Sequence, residues 1–186
     1  MMLEEIIQKL QELAVEKGAN STKHINTKNI VVEEWVRLKC KYGCKGYARH
    51  FTCPPYSPTT EETKKTLQNY ESALLVEFTD LKEKVEQQKI HEIMYDLERT
   101  AFLNGLYKAF SYTAGPCRIC GSCPAEKVEN PNEYSKRECK NQKKARPSME
   151  ACGIDVFQTV RKAGYEIDVI KEEDGCFKSF GLLLLE

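Results

Sequence analysis

Cys117, Cys120 and Cys123 place three thiols within seven residues, in the stretch GPCRICGSCP. Gly, Pro and Arg interrupt any apolar face there, so the stretch cannot be an ordinary core helix or strand. It has to be a loop organised around whatever the thiols hold. The chain carries nine cysteines, an odd number, in 186 residues that are otherwise 41% hydrophobic and 30% charged, an ordinary globular profile. Cysteines this dense in a small secreted domain would spell disulfides. The N-terminal MMLEEIIQKLQELAVEKG is instead amphipathic and acidic, without the basic start and unbroken apolar run of an export signal. No run of eighteen apolar residues exists to cross a membrane. The expectation is a cytoplasmic chain with reduced thiols, in which metal binding or catalysis explains the cysteines better than cross-linking does. A formal net charge of zero provides no general field for nucleic acid or an anionic membrane.

The spacing Cys117-x2-Cys120-x2-Cys123 matches the start of bacterial ferredoxin ligation. A loop of this kind can wrap one face of a [4Fe–4S] cubane and give one sulfur to each of three irons. Cys139, sixteen positions beyond Cys123, is the candidate fourth ligand. Zinc is the alternative, because each C-x2-C pair is half of a zinc knuckle; zinc more readily uses two separated pairs than three thiols in a row plus one. The zinc reading makes the protein a structural or interaction module without a redox role.

A second set lies upstream in CKYGCKGYARHFTCPPYSP, where Cys40, Cys44 and Cys53 again offer three thiols. Gly43 and Gly46 suit tight or left-handed backbone, and Lys39, Lys41, Lys45 and Arg49 can lower thiol pKa values and offset cluster charge. His50 is the nearest fourth ligand, with Cys152 and Cys176 more distant. If none of them binds, one metal position stays open to a substrate. Tyr42, Tyr47, Phe51 and Tyr56 interleave with basic residues, a pattern that can stack single-stranded nucleic acid. With no net charge, a shield around the metal site explains them better. His24, His50 and His91 are isolated, and Trp35 reads as core.

Elsewhere the chain punctuates itself. Leu3 to Lys17 has a helical apolar stripe that stops at Gly18. STKHINTKNIVVEEWVRLKC predicts one or two strands, and SALLVEF a buried strand. Ser57, Pro58, Thr59 and Glu62 signal a helix start, and Leu81 to Phe110 repeats apolar residues at helical spacing. Asp155 and Gln158 cap a helix ending at Gly164, while EIDVI and CFKSFGLLLLE read as strands across an EEDG turn. This order predicts an α/β or α+β fold: a small central sheet with flanking helices in two or three layers. It would form one domain over 1–186, with cysteine loops at about 40–55 and 111–147. In ARPSMEACGIDV, Pro147 and Ser148 can open a short helix that Gly153 ends, with Arg146 and Glu150 the polar residues of interest. Its free N–H groups could face cluster sulfur, or it could be an ordinary capped turn.

WVRLKCKYGCKGYARHFTCPPYSP, GPCRICGSC and ARPSMEACGIDV, in this order, resemble a domain-of-unknown-function family of predicted metal-binding proteins found largely in anaerobic microbes. The resemblance runs from about Trp35 to the C-terminal GLLLLE. It implies metal binding, of iron–sulfur type, by Cys40, Cys44, Cys53, Cys117, Cys120, Cys123 and Cys139, and leaves Cys152 and Cys176 outside the ligand motifs. It implies no known reaction and no catalytic residues. The expectation is therefore one or two [4Fe–4S] clusters, serving electron transfer to a redox partner protein or a cluster-dependent reaction on a small-molecule substrate.

Overall fold

The computed structural model describes residues 2–81, 84–130, 138–169 and 177–186. Its centre is the apolar run predicted as a buried strand. This run is β2, Ser72–Leu81, and it pairs antiparallel with β1, Ser21–Asn26, on one side and with β4, Phe177–Leu184, on the other. A three-residue strand that the sequence did not signal, β3 at Phe110–Tyr112, adds to the far edge of β4, giving the order β1-β2-β4-β3. Every pairing is antiparallel, which makes the fold α+β.

Both faces of this sheet are covered, which is why β2 and β4 read as continuous apolar runs. Leu74, Val76, Phe78 and Leu183 face a cluster built with Ile6, Ile7 and Leu10 of α1, Leu3–Glu16, and with Ile93, Met94 and Leu97 of α4, Lys84–Leu103. Ala73, Leu75, Leu182 and Leu184 face a second cluster holding Tyr112, Met149, Cys152, Ile154 and Val160. Gly181 is the contact point between β4 and α4: a Cβ there would stand 2.5 Å from the Met94 sulfur.

The helix punctuation is as expected in three places. Gly18 follows α1 with φ +111°, Thr59 and Glu62 form the capping box of α3, Thr60–Leu67, and Asp155 caps α5, Val156–Lys162, by accepting from the Gln158 N–H at 3.0 Å. Ser57 is not the cap of α3; its hydroxyl donates to the Ala151 carbonyl at 2.6 Å.

Three expectations are corrected. VEEWVRLKC supplies no strand but the helix α2, Glu34–Gly43, so Cys40 sits on a helix rather than in the loop. Its acidic start favours the helix dipole, and only Val36 turns fully inward. Trp35 is accordingly 45% exposed and is not core. Residues 166–169 of EIDVI are irregular: Ile167 packs onto the second cluster while its neighbours stay exposed, an alternation that also suits a segment draped over a sheet face. Ile170, the EEDG turn and Cys176 lie outside the described residues. None of the described helices is long and apolar enough to cross a membrane.

Candidate metal centres

The long second loop is closed at its neck by the backbone. The Thr113 N–H donates to the Pro147 carbonyl at 2.8 Å, and the Met149 N–H donates to the Thr113 carbonyl at 3.1 Å. Arg146 reinforces the exit by donating from Nε to Glu98 Oε2 of α4 at 2.8 Å, and the same carboxylate accepts from Ser111. Among the described residues between these ties only Ala114 and Ala125 are buried, so apolar burial contributes little to ordering them.

Inside the loop, Cys117, Cys120, Cys123 and Cys139 are all half-buried and line one small cavity of about 20 Å³. Phe51 and Thr52 of the first cysteine region close it from the other side. The Asn141 amide donates to Cys120 Sγ at 3.0 Å. Burial pushes the Cys117 thiol up to about 11, reinforced by the neighbouring Cys120, Cys123 and Cys139. The sequence grouping of these four residues is thus also a grouping in space. The eight described cysteines are all free thiols, so no disulfide accounts for them.

The first set is built differently. Cys40, in the last turn of α2, is half-buried; Cys44, its C-cap, is exposed; Cys53 is buried. A loop joins Cys44 to Cys53 through tight turns, and Ala48 takes the left-handed conformation, φ +59°, that Gly43 and Gly46 were expected to supply. The Ala48 N–H donates to the Pro54 carbonyl at 2.8 Å, folding the loop back on itself. The Gly46 N–H donates to Cys44 Sγ at 3.3 Å. Cys53 feels Cys44 and Cys40 electrostatically, and also Cys117, so the two sets are neighbours. The basic residues do not win here. Burial holds Cys53 up at about 12 and raises Cys40 as well, while Lys39, Lys41, Lys45 and Arg49 point to solvent. The aromatic interleaving divides likewise: Phe51 is buried and packs edge-on to Tyr56, and Tyr42 is 79% exposed, so they form no common stacking face.

Cys40 and Cys44 border a cavity of about 930 Å³ whose walls include Trp35, Phe157 and Phe180. The RPSMEA segment forms its wall beside Cys40. Glu150–Cys152 is a short 3-10 helix ended by Gly153 at φ +80°. It turns carbonyls, not N–H groups, toward the first region: Ala151 O accepts from Arg37 at 2.9 Å, and Glu150 O accepts from Cys40 Sγ at 3.9 Å. Glu150 Oε2 is buried without a hydrogen-bond partner, and burial pushes the carboxyl up from the ordinary range. Cys152 is fully buried in the core beneath, in keeping with its place outside the ligand motifs.

Two histidines that are far apart in sequence meet between the regions. His91 is 1% exposed and lies near His50, Arg118 and the Pro116 backbone; burial brings it down to about 4. His50 Nδ1 is buried without a partner. No sequence spacing links the two. Among the described residues no three His, Cys, Asp or Glu side chains form a group that could hold a single metal ion. What fits a metal group is the donor chemistry: four thiols on one cavity, three more beside it, and an orphaned buried carboxylate oxygen. A family profile for predicted metal-binding proteins matches residues 23–185. The chain belongs to this family, DUF2284. Comparisons of the chain with curated proteins and with solved structures gave no match. Membership of DUF2284 makes the chain one of a family of predicted metal-binding proteins.

Proposed function

We propose that this DUF2284 protein is a cytoplasmic iron–sulfur protein that passes electrons to a partner. Cys117, Cys120, Cys123 and Cys139 hold a [4Fe–4S] cluster, and Cys40, Cys44 and Cys53 hold a second one. The observation that carries this reading is that four thiols, three of them at ferredoxin spacing, ring one cavity. Three thiols at this spacing suit a cluster, which takes one sulfur at each of its separate irons, whereas zinc more readily uses two separated pairs. When bound, such clusters supply one-electron transfer.

The chain's own groups do the rest. Asn141 and the Gly46 N–H donate to thiol sulfur, bonds that would tune a cluster's potential. Phe51 and Thr52 shield the second set while the next residue, Cys53, belongs to the first. That adjacency supports electron passage from one centre to the other. Cys117 and Cys53 hold their protons tightly without metal, so loading must release protons.

Anaerobic reconstitution with iron and sulfide, followed by the visible spectrum and iron content, tests the assignment. Wild type should turn brown and bleach on reduction, and Cys120→Ser should lose the second cluster. Equal iron in the two proteins, or zinc uptake without colour, would refute it.

A further inference from the structure

The second set has four thiols and the first has three, so the first centre needs a fourth ligand from elsewhere, for which the sequence offers His50, Cys152 and Cys176. Cys152 is spent in the core, and Cys176 lies outside the described residues. Two buried donor atoms without partners remain nearby, His50 Nδ1 and Glu150 Oε2. His50 stands between the two sets: its ring, Cys44 Sγ and Pro116 all flank the point where a Cβ on Gly46 would sit, and Arg118 is its main charged neighbour. Glu150 faces the first set. Its backbone carbonyl accepts from Cys40 Sγ, its carboxyl acts electrostatically on the Cys40 thiol, and it shares with Cys40 and Cys44 the wall of the large cavity.

A buried carboxylate oxygen without a hydrogen bond costs stability and calls for a compensating partner. Ser148 and the residue's own backbone N–H donate to the Glu150 carboxyl, but among the described residues nothing supplies a partner to Oε2. The segment is also anchored through its neighbours: Ala151 O is tied to Arg37 and Ser57, and the Glu33 N–H donates to Gly153 O at 2.9 Å.

We infer that Glu150 is the fourth protein ligand of the Cys40/Cys44/Cys53 centre, an oxygen donor that an incoming molecule from the 930 Å³ cavity can displace. This inference rests on the reading of the first set as an iron–sulfur site. A carboxylate is a harder and more readily exchanged ligand than a thiolate, so the iron it holds is the one position where a small Lewis base can bind without removing a cysteine. The cavity beside Cys40 and Cys44 is large enough to admit such a molecule with an organic body attached. The second set, with four thiols around about 20 Å³, offers neither the exchangeable ligand nor the space.

The test uses the full chain, loaded with 57Fe without oxygen, as wild type and as Glu150→Gln, Glu150→Cys and His50→Ala. Iron content is read first. About eight irons per chain establishes the first centre; about four means that it does not form, and the inference falls with the reading beneath it. Mössbauer spectra then address Glu150 alone. Wild type should show one iron site distinct from the rest. Glu150→Cys should keep the iron and merge that site with the thiolate-ligated ones. Glu150→Gln should shift the site and bind cyanide about tenfold more tightly, because no anionic ligand has to leave. Spectra and cyanide affinity unchanged in both Glu150 variants, or a distinct site that moves in His50→Ala instead, would overturn the assignment. Circular dichroism on each variant separates loss of ligation from loss of fold.

Discussion

The two cysteine regions use the same side chain toward opposite ends. In the region around Cys117, all four thiols are half-buried, share one tight cavity, and belong to a loop whose described residues bury only Ala114 and Ala125. In the region around Cys40, the three thiols grade from exposed Cys44 to buried Cys53 and stand on a helix and a tight loop anchored to the second core cluster. The Cys117 arrangement closes four thiols around a small cavity, and the Cys40 arrangement has three thiols and opens to a large one. The difference teaches that thiol count and access vary together: four thiols stand around a tight space, and three stand beside a cleft.

The largest effect should come from the ligands themselves. Cys120→Ser is expected to remove about four irons and Cys44→Ser about four different ones, read by iron content and by the surviving spectrum. One substitution that empties both centres would break the comparison. Next in size is the backbone. Gly153→Ala puts a Cβ into the Thr60 side chain at φ +80°, and should cost about 2–4 kcal/mol in urea unfolding. Gly121→Ala in the second loop meets nothing within 4 Å and should cost under about 0.5 kcal/mol, which sharpens the contrast between an anchored region and a loop.

Arg146→Ala should follow at about 2 kcal/mol, since it leaves Glu98 mostly buried with only Ser111 to satisfy it. It should also weaken iron retention at the second centre and not at the first. A further effect is the pH response of His91. Its folded pKa, about 4, lies below the ordinary value of 6.5, so the unfolded chain binds the proton more readily. The associated stability is complete above pH 6.5 and is lost as pH falls toward 4. His91→Gln should flatten the stability profile across that window; an unchanged profile would show that His91 is not the group that responds.

Much of this was legible in the sequence where local physics decides. The capping box at Thr59 and Glu62, the stop at Gly18 and the cap at Asp155 are short-range hydrogen-bond or φ requirements, and all three are met. The Cys117–Cys123 cluster was legible for the same reason, because its spacing is its geometry. The misses are tertiary. Trp35 looked like core because of its size, yet α2 buries Val36 and turns Trp35 to the cavity. β3 is too short to carry a pattern, and exists because β4 has an edge to fill. Glu150 stands out beside Arg146 in the sequence, but its approach to Cys40 and the meeting of His50 with His91 depend on folding distant segments together, which no spacing encodes.

The most direct test of the account is the iron and acid-labile sulfide content of the full chain purified without oxygen. About eight of each per chain, in a brown protein that bleaches on reduction, is the predicted result. Stoichiometric zinc without sulfide would contradict it, and would make the thiols of GPCRICGSCP a structural clasp.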